Sequence, residues 1–157
     1  MHFFSPTKGV LSFDGLFDAM IEYVRESPND PYKLIVGSDS QTREHEVCFV
    51  TAVVVHRVGK GARYFYQRQN RRPLPSLRQR IFYETALSLA LASQLAERLS
   101  RSGYARLNVE IHLDIGNSGD TRGLIREIVG MVTGSGFDAK IKPDSYGAST
   151  VADKYTK

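Results

Sequence analysis

Leu34-Ile35-Val36-Gly37-Ser38-Asp39 is the stretch on which the fold turns. Its three branched apolar residues read as a short buried strand, and Gly37-Ser38 brings that strand to an end at an acid. Residues 47–56 form a second, strongly β-branched strand, which Gly59-Lys60-Gly61 turns back into a third over residues 62–67. Strands this close in sequence pair as antiparallel neighbours. Upstream, Phe13, Leu16, Phe17, Met20, Ile21 and Val24 lie on one helical stripe over residues 12–26, with Ser12 as N-cap, and Pro28-Asn29-Asp30-Pro31 forces a turn. Downstream the pattern changes. Pro73-Leu74-Pro75-Ser76 opens a long helix to about Arg101, with Leu77, Ile81, Ala86, Leu87, Ala90, Leu91, Leu95 and Leu99 on its apolar face. Then come a strand over 107–113, a helix over 121–133, a strand over 137–141 and a last helical piece near Ser149. An antiparallel meander that feeds strand–helix–strand units predicts an α/β fold, a five-stranded mixed sheet flanked by helices. With 157 residues the chain fits a single domain, with 1–30 as an N-terminal helical extension.

Composition narrows the function. There is one cysteine, Cys48, inside the apolar run Val47-Cys48-Phe49-Val50. It excludes an intramolecular disulfide, and a buried, inert thiol in a reducing compartment is the expectation. No run of about 18 apolar residues suits a membrane span, and the first residues lack the features of a signal peptide, so a cytoplasmic location is expected. His2, His45, His56 and His112 have no zinc spacing, and His56 and His112 read as sheet surface. No pattern for a serine or cysteine hydrolase is present.

The charge distribution is more telling than the formal net charge of +4. Residues 47–83 contain no Asp or Glu, yet carry Arg57, Lys60, Arg63, Arg68, Arg71, Arg72, Arg78 and Arg80. Such a run is either a solvated face or a phosphate-binding surface, and the interleaved Tyr64, Phe65 and Tyr66 favour the second. Against it stand four carboxylates on four separate elements. Asp39 ends the first strand, Glu84 lies two turns inside the long helix beside its apolar face, Asp114 ends the fourth strand, and Asp153 sits in the last helical piece. Each has a plain alternative as a turn, loop or surface residue. Gathered at one sheet edge they would repel one another, unless they hold Mg²⁺ or Mn²⁺, hard ions that prefer oxygen ligands. Asp144 is the substitute for Asp153 as the fourth acid.

The order of elements, with these acids on strand one, the first long helix, strand four and the final helix, resembles the ribonuclease H-like superfamily. Val36-Gly37-Ser38-Asp39-Ser40-Gln41, Arg80-Ile81-Phe82-Tyr83-Glu84-Thr85, Leu113-Asp114-Ile115-Gly116, Ile141-Lys142-Pro143-Asp144-Ser145-Tyr146 and Ala152-Asp153-Lys154-Tyr155-Thr156 look like the YkuK family of predicted ribonuclease H-related nucleases. That resemblance implies two-metal hydrolysis of phosphodiester bonds in RNA, DNA or hybrid. It makes Asp39 the bridging ligand, with Glu84 and Asp114 on one side and Asp153 on the other. Arg68, Arg71, Arg72, Arg78, Arg80, Lys142 and Lys154 are the expected nucleic-acid contacts. Two other readings remain open: a non-catalytic nucleic-acid- or partner-binding module on the same fold, and an actin-like nucleotide site. The second would use Asp114-Ile115-Gly116-Asn117-Ser118-Gly119-Asp120-Thr121, which follows a strand and opens a helix, so that its amides could cradle phosphates.

Overall fold

The computed structural model describes residues 2–116, 119–145 and 147–156, without the side chains of Ser149 and Thr150. The elements are β1 (Phe3–Ser5), β2 (Gly9–Leu11), α1 (Phe13–Glu26), β3 (Tyr32–Thr42), β4 (Val47–Arg57), β5 (Gly61–Arg71), α2 (Leu77–Arg101), β6 (Val109–His112), a 3₁₀ turn (Gly119–Leu124), α3 (Ile125–Gly134), β7 (Asp138–Lys140) and α4 (Ala148–Thr156). They build a seven-stranded sheet in the order β2-β1-β5-β4-β3-β6-β7. The meander β3-β4-β5 is antiparallel, whereas β6 runs parallel to β3, and β7 parallel to β6.

The strands alternate between two faces, and each face has its own cover. Leu34 and Val36 of β3, Val53 and Val55 of β4, and Phe65 of β5 pack with α1, α2 and α3. Ile35 of β3, Val50, Ala52 and Val54 of β4, and Tyr64 and Tyr66 of β5 pack with Ala148, Val151, Ala152 and Tyr155 of α4. β4 is the spine because its first nine residues are buried whichever face they point to. The helices start where the sequence provides caps: the Ser12 hydroxyl accepts from the Gly15 N–H at 3.1 Å, and the Ser76 hydroxyl from the Gln79 N–H at 3.2 Å. Gly103, with φ of 81°, supplies the left-handed residue just beyond α2.

Several expectations need correction. The sheet has seven strands rather than five, because residues 3–11 fold into a hairpin that joins β5 through Phe4 and Tyr66. Strands of three residues carry no period to read; the hairpin is closed instead by the Ser5 hydroxyl, which accepts from the Thr7 and Lys8 N–H groups, and by Gly9 at φ of 77°. The first long strand does not stop at Asp39. It continues to Thr42, because Ser38 and Ser40 face α2 and find polar partners there instead of breaking the strand. The next-to-last helix opens as a 3₁₀ turn, and Asn117 and Ser118 of the proposed phosphate loop lie outside the described residues. Leu77, assigned to the apolar face of α2, is exposed. His112 is buried rather than on the surface. Its Nδ1 accepts from the Gly147 N–H at 3.3 Å, and its Nε2 lies 2.7 Å from Glu110 Oε1.

The N-terminal segment shares the main core: Leu16, Met20 and Val24 of α1 are buried with Leu34, Val36 and Leu95. Met20→Ala is therefore expected to lower the unfolding free energy by about 2–5 kcal/mol, the cost of a core cavity, with one cooperative urea transition. A loss below about 1 kcal/mol would mark α1 as a peripheral appendage.

Candidate metal centre and nucleic-acid face

Asp39 lies inside β3 on the face covered by α4, and its backbone partner is Val50 of β4. The parallel register of β3 with β6 runs from Leu34 opposite Val109 to Gly37 opposite His112. Continued by two residues, it sets Asp39 level with Asp114. Asp153 approaches from α4 and hydrogen-bonds the Asp39 carboxyl. Two carboxyl groups bond in this way only with a proton between them. Burial raises the pKa of Asp39 from 3.8 to about 7; Asp114 and Asp153 push it further up, and a hydrogen bond from the Ser40 backbone opposes them.

Glu84 comes to the same place from the opposite side of the sheet. It sits in the second turn of α2 and is only 6% exposed. The Ser40 hydroxyl donates to its Oε2 at 2.5 Å. Burial again dominates, raising its pKa from 4.5 to about 8, with the charges of Asp39 and Asp114 adding to the shift while Ser40 and Arg80 oppose it. The buried stripe of α2 is apolar towards its end, at Leu91, Leu95 and Leu99, but polar near the site, at Glu84, Thr85 and Ser88. Ser88 bonds Ser38 at 2.8 Å, and Ser38 donates to Thr51 at 3.0 Å. This hydroxyl chain floors the acids. Sequence reasoning missed it, although Ser88, one helical turn beyond Glu84, was the available signal.

The structure thus brings Asp39, Glu84, Asp114 and Asp153 into one electrostatic unit. Asp144 is exposed in the turn after Pro143 and takes no part in it. The acids face local partners: Glu84 is held by Ser40, Asp114 by Lys142 at 2.8 Å, and Asp39 by Asp153. Among the described residues no three His, Cys, Asp or Glu side chains are closed around one point. The donor set is nonetheless one of hard oxygens in a partly buried, proton-retaining pocket, which suits a divalent cation better than the isolated carboxylates.

Two of the expected nucleic-acid contacts lie at this unit. Lys142 pairs with Asp114, and its pKa is raised chiefly by that bond. The Lys142 N–H donates to the Ile115 carbonyl at 2.8 Å, and a Cβ at Gly116 would stand 3.0 Å from Lys142 Cβ, so glycine lets the two loops approach. Arg80, one turn before Glu84, reaches Ser40 at 3.2 Å and Thr42 at 2.7 Å. The others are spread along the end of β5, the start of α2 and α4. Arg71 donates to the Tyr83 hydroxyl at 2.6 Å, and Arg72 is exposed. Arg78 pairs with Glu127 at 2.6 Å, Arg68 donates to the Tyr155 carbonyl, and Lys154 lies 5.5 Å from the centre of the Tyr155 ring. Arg68 and Arg78 therefore also tie α4 and α3 to the sheet and to α2. Cys48 is buried, as its sequence context suggests. No helix among the described residues is long and apolar enough to cross a membrane.

The comparisons agree with this architecture. The family model described as Ribonuclease H-like matches residues 15–157. The Bacillus subtilis (strain 168) protein named "Uncharacterized protein YkuK" is 36% identical over 166 residues, which cover 99% of this chain and 96% of that protein. No solved structure gives a significant match. With a mixed sheet of this topology and a family match that omits little beyond the first hairpin, the chain belongs to the ribonuclease H-like family.

Proposed function

We propose that residues 1–157 act as one ribonuclease H-like domain, a metal-dependent nuclease that hydrolyses phosphodiester bonds in RNA, DNA or hybrid. The observation that carries this reading is the crowding of carboxyls: Glu84 is buried beside Asp39, Asp114 stands level with Asp39 in the continued register of β3 and β6, and Asp153 bonds the Asp39 carboxyl, so that Asp39 and Glu84 hold their protons tightly. A structural carboxylate is normally paired with a cation or solvated; four sharing one site on four elements make sense as ligands. Asp39, Glu84, Asp114 and Asp153 would hold Mg²⁺ or Mn²⁺ ions, which when bound supply Lewis-acid activation of water and charge stabilisation at the leaving oxygen. The side chains do the rest. Ser40 orients Glu84, and the hydroxyls of Ser38 and Ser88 keep the floor satisfied without adding charge. Lys142 shields Asp114 and is placed to meet a phosphate. Arg80 flanks the site, while Arg71, Arg72 and Lys154 hold the backbone further out; Arg68 and Arg78 add charge from their anchored positions. Phosphate contacts of this kind give affinity and register but little sequence preference.

Asp39→Asn is expected to abolish Mn²⁺ binding by calorimetry. It should also lower cleavage of mixed RNA, DNA and hybrid substrates by more than about 100-fold, beyond what loss of an outer-shell partner costs. Equal Mn²⁺ affinity in variant and wild type, or no metal-dependent cleavage by wild type, would sink the reading and leave a non-catalytic binding module.

The raised pKa values set the pH dependence. Unfolded, these groups lose their protons near 3.8 and 4.5; folded, they keep them to about 7 and about 8. Between those limits the folded chain binds more protons, so with chelator present stability falls as pH rises from about 4 to about 8, and the penalty persists above that. Urea melts of Asp39→Asn and Glu84→Gln should each show a shallower fall than wild type. Mn²⁺ should stabilise wild type more at pH 8 than at pH 6, since at the lower pH it must displace protons.

Lys142→Ala separates the two cations that compete for Asp114. Its Mn²⁺ affinity should rise about two- to fivefold, the worth of a partly exposed ion pair, while its affinity for nucleic acid falls. A variant weaker in both would make Lys142 a scaffold residue instead.

A further inference from the structure

The sheet face that bears Asp39 is covered unevenly. α4 lies over β3, β4 and part of β5, and beyond it β1 and β2 present side chains to solvent on the same face. There the register aligns three residues on three neighbouring strands: Val10 opposite Phe4, and Phe4 opposite Tyr66. Val10 is 61% exposed and Phe4 38% exposed. Phe4 stacks on Tyr66 with ring centroids 5.5 Å apart and planes 28° from parallel. Tyr66 in turn stacks on Tyr155 at 3.8 Å and 13°. Tyr155 is two residues after Asp153. A column of aromatic rings therefore runs from the acidic unit outward and ends on a partly open ring.

The charge beside the outer end of this column has one sign. β4 and β5 hold no acid, and Arg68 shares the face, two strands from Asp39 through Val50. Arg68 donates to the Tyr155 carbonyl and has no ion pair among the described residues. With strands about 4.8 Å apart and residues about 3.4 Å along each strand, Phe4 stands roughly 16 Å from Asp39, a span of a few nucleotides. An aromatic platform rimmed by arginine and free of carboxylates fits the π-face of a nucleobase next to a phosphate backbone. Bases in a duplex are already stacked on one another, so only unpaired ones can use it. A second copy of this chain fits poorly, because two exposed apolar side chains fall far short of the ~800 Å² per partner of a stable interface.

We propose that Phe4, Val10 and Tyr66 form a stacking platform for unpaired bases, and that single-stranded nucleic acid, or a single-stranded flank, is what the acidic unit receives. The link to cleavage rests on the nuclease reading; the platform itself does not. Phe4 and Val10 lie ahead of the residues that the family model matches.

The test is fluorescence anisotropy with labelled 12-mers of dT and of U, and with their duplexes, in chelator so that nothing is cut. Phe4→Ala should weaken binding of the single strands by about five- to a hundredfold, Phe4→Tyr should restore it, and duplex binding should not move. The salt slope should stay that of wild type, because no phosphate contact is removed. Val10→Asp, at a position too exposed to disturb the fold, should weaken the same probes. Phe4-dependent binding of dT, of U or of both supports the platform. Wild-type affinity in Phe4→Ala, or an equal loss on duplexes, overturns the proposal. So does a change from dimer to monomer in sedimentation with binding unaltered, which would make the patch a contact between copies. Should wild type never cleave with Mn²⁺ while Phe4-dependent single-strand binding persists, the nuclease reading fails and the platform stands.

Discussion

The 2.5 Å hydrogen bond from Ser40 to Glu84 is the contact on which the arrangement depends. It joins β3 to α2 at the one place where the helix buries a carboxylate. An unpaired carboxylate in such a position costs several kcal/mol, and the bond offsets only part of that, since the Glu84 pKa still rises to about 8. What remains is a folded site that prefers a positive charge. Arg80 supplies some of it from one turn below, and Lys142 supplies some across the sheet at Asp114. Neither is buried with the acids. The protein therefore carries an electrostatic deficit where β3 passes the end of β6, held by a core strong enough to tolerate it.

That tolerance explains which parts of the structure were legible in the sequence. The long strands and α1 and α2 could be read because their apolar residues recur at the period of the element, and Ser12 and Ser76 mark the helix starts. The four acids could be picked out in the sequence as candidates, but the local geometry around them could not. Gly37-Ser38-Asp39 reads as a strand end because small and polar residues punctuate most strands; here Ser38 and Ser40 stay in register since Ser88, Thr51 and Glu84 satisfy them from neighbouring elements. His112 misled for a like reason, being a buried polar residue satisfied by Glu110 on its own strand and by the Gly147 N–H from far along the chain. The hairpin at residues 3–11 was illegible on different grounds. Its strands are shorter than any period, and what holds them is the long-range pairing of Phe4 with Tyr66.

The last helix shows how the fourth acid reaches the others. α4 has nine residues, too few to be stable by itself, so its place is set by what it touches. Its start is fixed by close packing: a Cβ at Gly147 would lie 3.0 Å from Ile35 Cδ1, and the Gly147 N–H donates to His112. Its end is fixed by charge and stacking. Arg43 donates to the Thr156 carbonyl at 2.8 Å and Arg68 to that of Tyr155, where the helix dipole favours cations. The Tyr155 ring lies on Tyr66 and its hydroxyl bonds that of Tyr64 at 2.7 Å. Asp153 hangs between these anchors.

The same contacts give the two faces of the sheet different duties. On the face of α1, α2 and α3 the residues are mostly apolar and the packing is deep, and buried polarity gathers chiefly under the site, at Ser38, Ser40, Thr51, Glu84, Thr85 and Ser88. On the face of α4 the cover is thin and ends partway across β5, so the meander that stabilises the sheet also exposes its basic and aromatic positions. One alternation along β5 produces both results: Phe65 points into the core, while Tyr64, Tyr66 and Arg68 point out under and beyond α4. A strand that must fill a core on one side is free to vary on the other only where no helix covers it. In this chain that freedom falls within three strands of the acids, which sets the surface proposed to meet a polyanion next to the carboxylates that would otherwise repel it.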